Sequence, residues 1–591
     1  MIIFNAPMVK RLLTVTVAIG CIVAFCTGIS TAVEPDAIYY NGKIATLDAA
    51  GSTVQAVAVK DGKFLNVGGT EEIKQLAGKS TRMVDLGGKT VVPGLIDAHT
   101  HPMETIMMKD GWVDARYPAC PSVKQALVDI AAWIQRTPKE KWVFVACVSA
   151  SENKFIEKRL PTKAELDKVA PDNPVVVADG AHLCVVNSMA LKMLGITKGM
   201  STLKGGGRAI LDNDGEPNGT LTDAMGAVPT TPTLDDLKRY YISGIQNFWN
   251  QYGFTSLMAI TPAAALPVLQ EISQQMEPGI RYTVSAWTDP NTDGMPENLD
   301  KFKMPAGADP AFYRFGAIKG WVDGENDCRT GLMYEQYKGH FDTDPPGGKG
   351  TLVTPLPKAE YFADIANRNG VISMLHCSGE KAMDIGLDAY EHEIRTRSQK
   401  SIMRIEHFGM FQMSDKQLKR AGEMKKDGLF ISIQPTWLLE LVKADYENMG
   451  AKLASTGFRF RSMIDAGLEP AAGTDMTGIY LANINPFTAI YASVTRNSDM
   501  GVFEPLEAVT VMEALKMWTI WAAKWYMRRS SSEAAATAVE AISPKDTPHL
   551  HRYKAFSTSS DRAIILRIIL KFHRTLLCPL ITTKIKMIPP L

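Results

Sequence analysis

The sequence predicts an α/β protein whose main body is a TIM-type (β/α)8 barrel. Three observations predict it. Eight short apolar segments recur between helical stretches, a Pro93-Gly94 break precedes the first of them, and histidines or an aspartate directly follow several of them. In order the segments are Leu95–Ala98, Thr255–Met258, Tyr282–Ser285, Gly316–Ile318, Val371–Leu375, Ile402–Ile405, Leu429–Ile433 and Pro470–Ala472.

Other parts of the chain frame this barrel. Lys10 and Arg11 precede an apolar run from Leu12 to about Gly28, and small residues follow up to Ser30-Thr31-Ala32. Ser30 and Ala32 have the spacing a signal peptidase prefers, and a lasting anchor usually needs about 20 apolar residues. Residues 1–32 are therefore expected to be a signal peptide. The mature protein would be exported, periplasmic or secreted, with no stable membrane span after cleavage. Residues 33–92 read as a small β module: Ala37–Tyr40, a turn at Asn41-Gly42, Lys43–Leu47, the alternating Val54–Val59, a turn at Asp61-Gly62, and Phe64–Val67. The barrel domain is expected over 93–527. A large insertion follows its first strand, at about 103–253, with strands of its own at Trp142–Val145 and Pro174–Val177. Such insertions shape substrate pockets. From Arg528 to Ala541 the text is rich in Ser and Ala, and the remainder of 528–591 is basic with prolines at 579, 589 and 590. That segment is expected to be poorly ordered.

Lys and Arg number 64 against 63 Asp and Glu, a balance that offers no electrostatic case for nucleic acid or an anionic membrane as partner. A small-molecule substrate fits better, and the oligomeric state stays open, a homo-oligomer included. Cys21 and Cys26 would leave with the signal. Cys120, Cys147, Cys184, Cys328, Cys377 and Cys578 lack zinc-type pair spacing and read as buried thiols rather than a disulfide framework.

The chemistry is carried by residues at the strand ends. In His99-Thr100-His101, the i, i+2 spacing on extended backbone turns both imidazoles to one side, where one metal can take both. His376 ends the fifth expected strand, His407 follows the sixth and Asp475 the eighth. The chain has ten histidines, so four of them at the ends of three barrel strands are not a chance scatter. Neutral imidazoles with a carboxylate suit Zn²⁺ or a similar first-row metal, Mn²⁺, Fe²⁺ and Co²⁺ included. Lys319 directly follows the fourth segment. A protonated lysine among cations would be repelled, whereas its carbamate with CO₂ would bridge two metals roughly 3.5–4 Å apart. The bland alternative is an ion pair with Asp323.

Pro93-Gly94-Leu95-Ile96-Asp97-Ala98-His99-Thr100-His101-Pro102 resembles the opening signature of the amidohydrolase superfamily. Lys319–Gly324, His376–Ala382, Arg404–His407 and Gly473-Thr474-Asp475 are similar, in order, to the motifs of amidohydrolase family 3, a branch that includes N-substituted formamide deformylases. The resemblance spans about Ala37 to Lys524. It implies two zinc ions, one held by His99, His101 and Asp475 and the other by His376 and His407, with Lys319 bridging. It also implies hydrolysis of a carbon–nitrogen bond of a small molecule, amide, formamide or related, by a metal-bridging hydroxide, with Asp475 moving the proton. Asp179-Gly180-Ala181-His182 is similar to the family's Asp-Gly-His segment with Ala181 inserted, and it makes His182 a candidate substrate contact. Asp214–Gly219 reads as a tight turn. Glu380 stands where the family has aspartate, and Trp521 where it has asparagine. After Lys524 the pattern ends, so the β module would lack partner strands and expose edges or apolar faces. Two alternatives remain at this level: a mononuclear-metal deaminase of the same superfamily, which usually lacks the bridging lysine, and a non-catalytic truncated relative.

Overall fold

The computed structural model describes residues 33–526 apart from 149, 181, 204–206, 225–226, 230–234, 236–237, 240–245, 276–278, 289–296, 339–346, 398–401 and 477–483. The expected signal peptide, Cys21, Cys26, Cys578 and the tail 528–591 lie outside the described residues. Two compact units divide at Pro93 and Gly94.

The first unit holds β1 (Ala37–Tyr40), β2 (Lys43–Ala45), β3 (Thr53–Val54), β4 (Ala56–Lys60), β5 (Lys63–Gly68), β6 (Arg82–Asp85) and β7 (Thr90–Val91). They form a four-stranded sheet, β5-β4-β1-β6, and a three-stranded one, β3-β2-β7. Asp61 and Gly62 both have positive φ, +49° and +69°, which is the backbone a two-residue hairpin between β4 and β5 requires. Ile38, Ala56, Ala58 and Ile73 make its core. Phe64, Leu65, Val67 and Met83, on the two edge strands, are exposed.

The second unit opens with β8 (Leu95–Thr100). An inserted sheet follows, built from β9 (Val113–Asp114), β10 (Val143–Cys147), β11 (Val175–Asp179), β12 (Leu183–Val186), β13 (Arg208–Leu211) and β14 (Pro217–Thr222) in the order β13-β14-β12-β11-β10-β9. Val143, Val145, Val175 and Val177 pack beneath it. The turn at 212–216 between β13 and β14 closes with Asp212 N–H donating to the Glu216 carbonyl at 2.8 Å.

The barrel continues with β15 (Phe254–Pro262), β16 (Arg281–Trp287), β17 (Tyr313–Trp321), β18 (Ile372–His376), β19 (Met403–Glu406), β20 (Leu429–Ile433) and β21 (Ala471–Ala472). With β8 they form one eight-stranded, all-parallel sheet in the order β21-β20-β19-β18-β17-β16-β15-β8. Their near-continuous apolar runs follow from burial on both faces. Its first and last strands meet at their carboxyl ends, where Asp475 N–H donates to the His99 carbonyl at 2.8 Å and His101 N–H to the Met476 carbonyl at 3.1 Å. Asp97 latches the same seam by accepting from Thr474 N–H at 2.9 Å, Thr474 Oγ1 at 2.7 Å and Trp249 Nε1 at 3.0 Å. Gly473 is needed there, because a Cβ would stand 2.5 Å from the His99 nitrogen. One strand runs further than the sequence suggests: β17 continues through Lys319 to Trp321, because Lys319 pairs with Trp287 and Trp321 with His376 across the ladders. Cys120, Cys147, Cys184, Cys328 and Cys377 are free and buried. Among the described residues no helix is long and apolar enough to cross a membrane.

Candidate metal centre

Register along the barrel brings the expected residues together. His99 and His101 leave β8, Lys319 lies on β17, His376 closes β18, His407 follows β19 and Asp475 follows β21. Five imidazoles form a chain of neighbouring rings: His101 to His99 at 5.7 Å, His99 to His407 at 4.9 Å, His407 to His376 at 4.4 Å, and His376 to His182 at 4.9 Å. His182 therefore faces the centre despite the extra residue before it. Ala181 itself lies outside the described residues.

Three of these imidazoles are set by hydrogen-bond partners. His99 Nδ1 donates to Glu406, whose carboxylate is held in turn by the Arg404 guanidinium. His407 Nδ1 donates to Gln434 Oε1 at 2.9 Å. His376 Nε2 donates to the Gly324 carbonyl at 3.0 Å, with Ser378 Oγ at the same distance. In each ring the other nitrogen is left as the lone-pair atom. Glu380, the departure from the family pattern, opens the helix Glu380–Thr396, while the Gly324 carbonyl and Ser378 orient His376.

Two adjacent residues, Glu406 and His407, both serve the site although neighbouring side chains on a strand point to opposite faces. The reason is local: His407 has φ +60°, a left-handed bend at the strand end, and Asp475 has φ +46°. Conformations of this kind cost about 1–3 kcal/mol each in non-glycine residues and collect at functional sites.

The electrostatics call for a cation. Asp475 Oδ1 lies 3.3 Å from both His99 Nε2 and His101 Nε2. His99 Nε2, His101 Nδ1 and Asp475 Oδ1 are buried without a hydrogen bond among the described residues. A lone pair facing a carboxylate oxygen is repulsive, but roughly 3.3 Å is the edge of a tetrahedral shell with zinc-type bonds of about 2.0–2.1 Å. Burial lowers His101 to about 4 and pushes His376 and His407 well below the ordinary histidine value, so all three are neutral, as ligands must be. Burial would raise Asp475, but His99 and His101 hold it well below the carboxylate range. Burial also lowers Lys319, against the Glu406 and Asp475 carboxylates. Lys319 makes no ion pair with Asp323, whose carboxylate accepts instead from the Leu332, Ser378 and Gly379 amides at 2.7–3.0 Å.

The donors fall into two groups that could each hold an ion: His99, His407 and Asp475, and His182, Glu325 and His376. His407 and His376, which the resemblance sets on one ion, are themselves adjacent, with ring centres 4.4 Å apart. Glu325, Asp223, Glu406 and Gln434 are functional candidates the sequence reading did not single out. Adjacency to His407 could have flagged Glu406; no sequence signal marks the others. Trp287 stands edge-on to His101 at 5.4 Å and Trp437 stacks on His407 at 5.3 Å, giving the centre aromatic walls.

Known proteins resemble this chain over most of its length. The chain is 28% identical to an N-substituted formamide deformylase of Arthrobacter pascens over 82% of its own length and 88% of the relative's. It is 25% identical to the Arabidopsis thaliana protein LONG AFTER FAR-RED 3 over 83% of each chain. Its fold is similar to that of a metal-dependent hydrolase of Pyrococcus horikoshii, with a TM-score of 0.61 at 22% identity, covering 83% of this chain and 92% of that one. The amidohydrolase family model matches residues 82–531. The chain belongs to the amidohydrolase family, as a hydrolase that works with a divalent metal.

Proposed function

We propose that the centre hydrolyses a non-peptide carbon–nitrogen bond, amide or formamide, of a small molecule, using two zinc-type ions. The observation that carries this reading is the single Asp475 oxygen facing two imidazole nitrogens at 3.3 Å. When bound, the ions supply Lewis acidity to the scissile carbonyl and lower the pKa of water. The remaining steps belong to the chain. Asp475, deprotonated between His99 and His101, accepts the proton of the attacking water and passes it to the departing nitrogen as the carbon–nitrogen bond breaks, yielding an acid and an amine. Lys319, whose pKa burial lowers, would add to CO₂ through Nζ and release a proton, and the carbamate would offer two oxygens sharing one negative charge to the donor groups. Trp287 and Trp437 exclude water and suit a flat apolar substituent beside the reacting carbon. His182 borders the same space. The similarity to a formamide deformylase supports the bond class.

Elemental analysis of the purified protein beside Lys319→Ala tests the reading. About two equivalents of transition metal in the parent, with clear loss in the variant and bicarbonate-dependent loading of the parent, are expected. One equivalent unaffected by the substitution would replace the reading with the mononuclear deaminase. A folded protein without metal would overturn both.

A further inference from the structure

The inserted sheet reaches the centre through one buried pair. Strands β12 and β14 pair antiparallel with Leu183 opposite Thr222, so the ladder sets the next residues outward, His182 and Asp223, against each other. Asp223 N–H donates to the His182 carbonyl at 2.7 Å, and His182 Nδ1 donates to Asp223 Oδ1 at 2.8 Å. The Asp223 side chain is fully covered and that of His182 is 13% exposed, so of the two only the imidazole reaches open space. A buried carboxylate on Nδ1 fixes the ring plane and the tautomer, and it leaves Nε2 as a lone pair. Gly324 ties this pair to the centre: a Cβ there would stand 2.6 Å from Asp223 Oδ1, and the Gly324 carbonyl accepts from His376 Nε2 at 3.0 Å.

With His376 and His407 on the second ion, as the resemblance implies, His182 stands just beyond it, its ring 4.9 Å from that of His376. Across from His182 Nε2 lies Glu325 Oε1 at 4.0 Å, too far for a hydrogen bond between them. Glu325 bonds to Asp327 and is attracted by Lys319. Toward His182 its oxygen is an acceptor, so two acceptors face one gap. A nitrogen about 2.9 Å from each atom fits a gap of that width and gives a hydrogen to both. The departing nitrogen of a monosubstituted amide matches this demand. It carries one N–H in the substrate and a second once Asp475 has protonated it as the carbon–nitrogen bond breaks. The second hydrogen bond thus forms only as the nitrogen leaves, where it lowers the barrier rather than merely tightening binding.

We propose that Asp223 is a positioning residue for His182, and that His182 Nε2 and Glu325 Oε1 form the subsite for the N–H groups of the departing nitrogen. His182 accepts a hydrogen bond there and no proton; the proton comes from Asp475. This inference rests on the carbon–nitrogen hydrolase reading above. It narrows the substrate class to amides or formamides whose nitrogen bears a hydrogen. A second alkyl group on that nitrogen would leave both acceptors facing carbon and unpaired.

The test compares N-propylformamide with N-methyl-N-propylformamide as substrates of the metal-loaded full chain, for the parent, His182→Ala and Asp223→Asn. Elemental analysis and circular dichroism melting of each protein accompany the kinetics. The parent should prefer the monosubstituted formamide by at least about 100-fold in kcat/KM. In folded His182→Ala the preference should fall to within about tenfold, with metal content equal to the parent's. Asp223→Asn should lose the preference in the same way at unchanged metal content, because its amide can donate to Nδ1 and turn the ring to the tautomer whose Nε2 carries hydrogen. A merely structural role would slow both substrates alike and keep their ratio. Equal use of the two formamides by the parent, or the parent's ratio preserved in both folded variants, would overturn the subsite and leave the hydrolase reading standing. Loss of metal from folded His182→Ala would make this histidine a ligand and overturn the subsite as well. No hydrolysis of either formamide by the metal-loaded parent would overturn the hydrolase reading itself, and the subsite with it.

Discussion

The Asp475 half of the centre is assembled wholly from the ends of barrel strands, whereas the His182 half takes one imidazole and its carboxylate partner from the inserted sheet. In the first half, His99, His407 and Asp475 are brought together by the order of parallel strands and by the seam between β8 and β21. In the second, His376 comes from β18, but His182 and Asp223 meet because β12 and β14 pair in one register outside the barrel. The difference teaches that one centre can draw on two independent scaffolds. Each is held rigid by buried groups that orient an imidazole, Glu406 with Arg404 in one half and Asp223 in the other.

If the halves are separately supported, damage to one should leave the other loaded. The largest effect is expected from Glu406→Gln, which removes the carboxylate on His99 Nδ1 and the negative charge facing the buried Arg404 guanidinium. Metal affinity in the Asp475 half should fall about 10–100-fold, and stability by about 3–5 kcal/mol. Elemental analysis after dialysis, beside urea unfolding, reads both. Equal loss from the two halves would show that the comparison is false and the centre is one coupled unit.

Acid should act on the buried histidines of the whole centre. In the metal-free chain His101 titrates at about 4, against an ordinary value of 6.5, because burial disfavours its charged form. Between those values the unfolded chain binds more protons than the folded one, so the contribution of His101 is complete above pH 6.5 and is lost as pH falls toward 4. The size is on the order of 3 kcal/mol. His376 and His407 act in the same direction. Urea unfolding of the stripped protein at pH 7, 5.5 and 4.5 measures the slope. A midpoint unchanged across that range would mean that these imidazoles are not buried in the neutral form.

The smallest effect belongs to the His182 half. Gly324→Ala would set a Cβ 2.1 Å from Thr330 Oγ1 and 2.6 Å from Asp223 Oδ1, and one of them must move. A cost of about 1–3 kcal/mol is expected, with weaker metal binding beside His376 and unchanged binding at Asp475. Parallel weakening of both positions in a cobalt titration would again merge the halves.

How much of this was readable follows the same division. The eight apolar segments gave the barrel because strands buried on both faces must be short and continuously apolar. His99, His101, Lys319, His376, His407 and Asp475 could be found because strand ends of a parallel barrel converge on one face. The end of β17 was placed too early, since Lys319 and Trp321 look polar or bulky in sequence while the ladder to β16 and β18 continues through them. Glu406 was visible only as a neighbour of His407, because the positive φ that turns both side chains inward is a backbone property. Asp223 and Glu325 carry no motif. They matter through contacts spanning 41 residues for His182 with Asp223 and the whole loop beyond β17 for Glu325.

The sequence by itself determined the fold class, the family and the identity of most candidate ligands, because apolar periodicity and ordered motifs are local patterns written along one dimension. Only the tertiary structure decided which donors lie close together, which nitrogen of each ring makes a hydrogen bond, and that the inserted sheet reaches the centre. Those are properties of distance and orientation between segments far apart in the chain, set by strand register and by buried hydrogen bonds that no local pattern encodes.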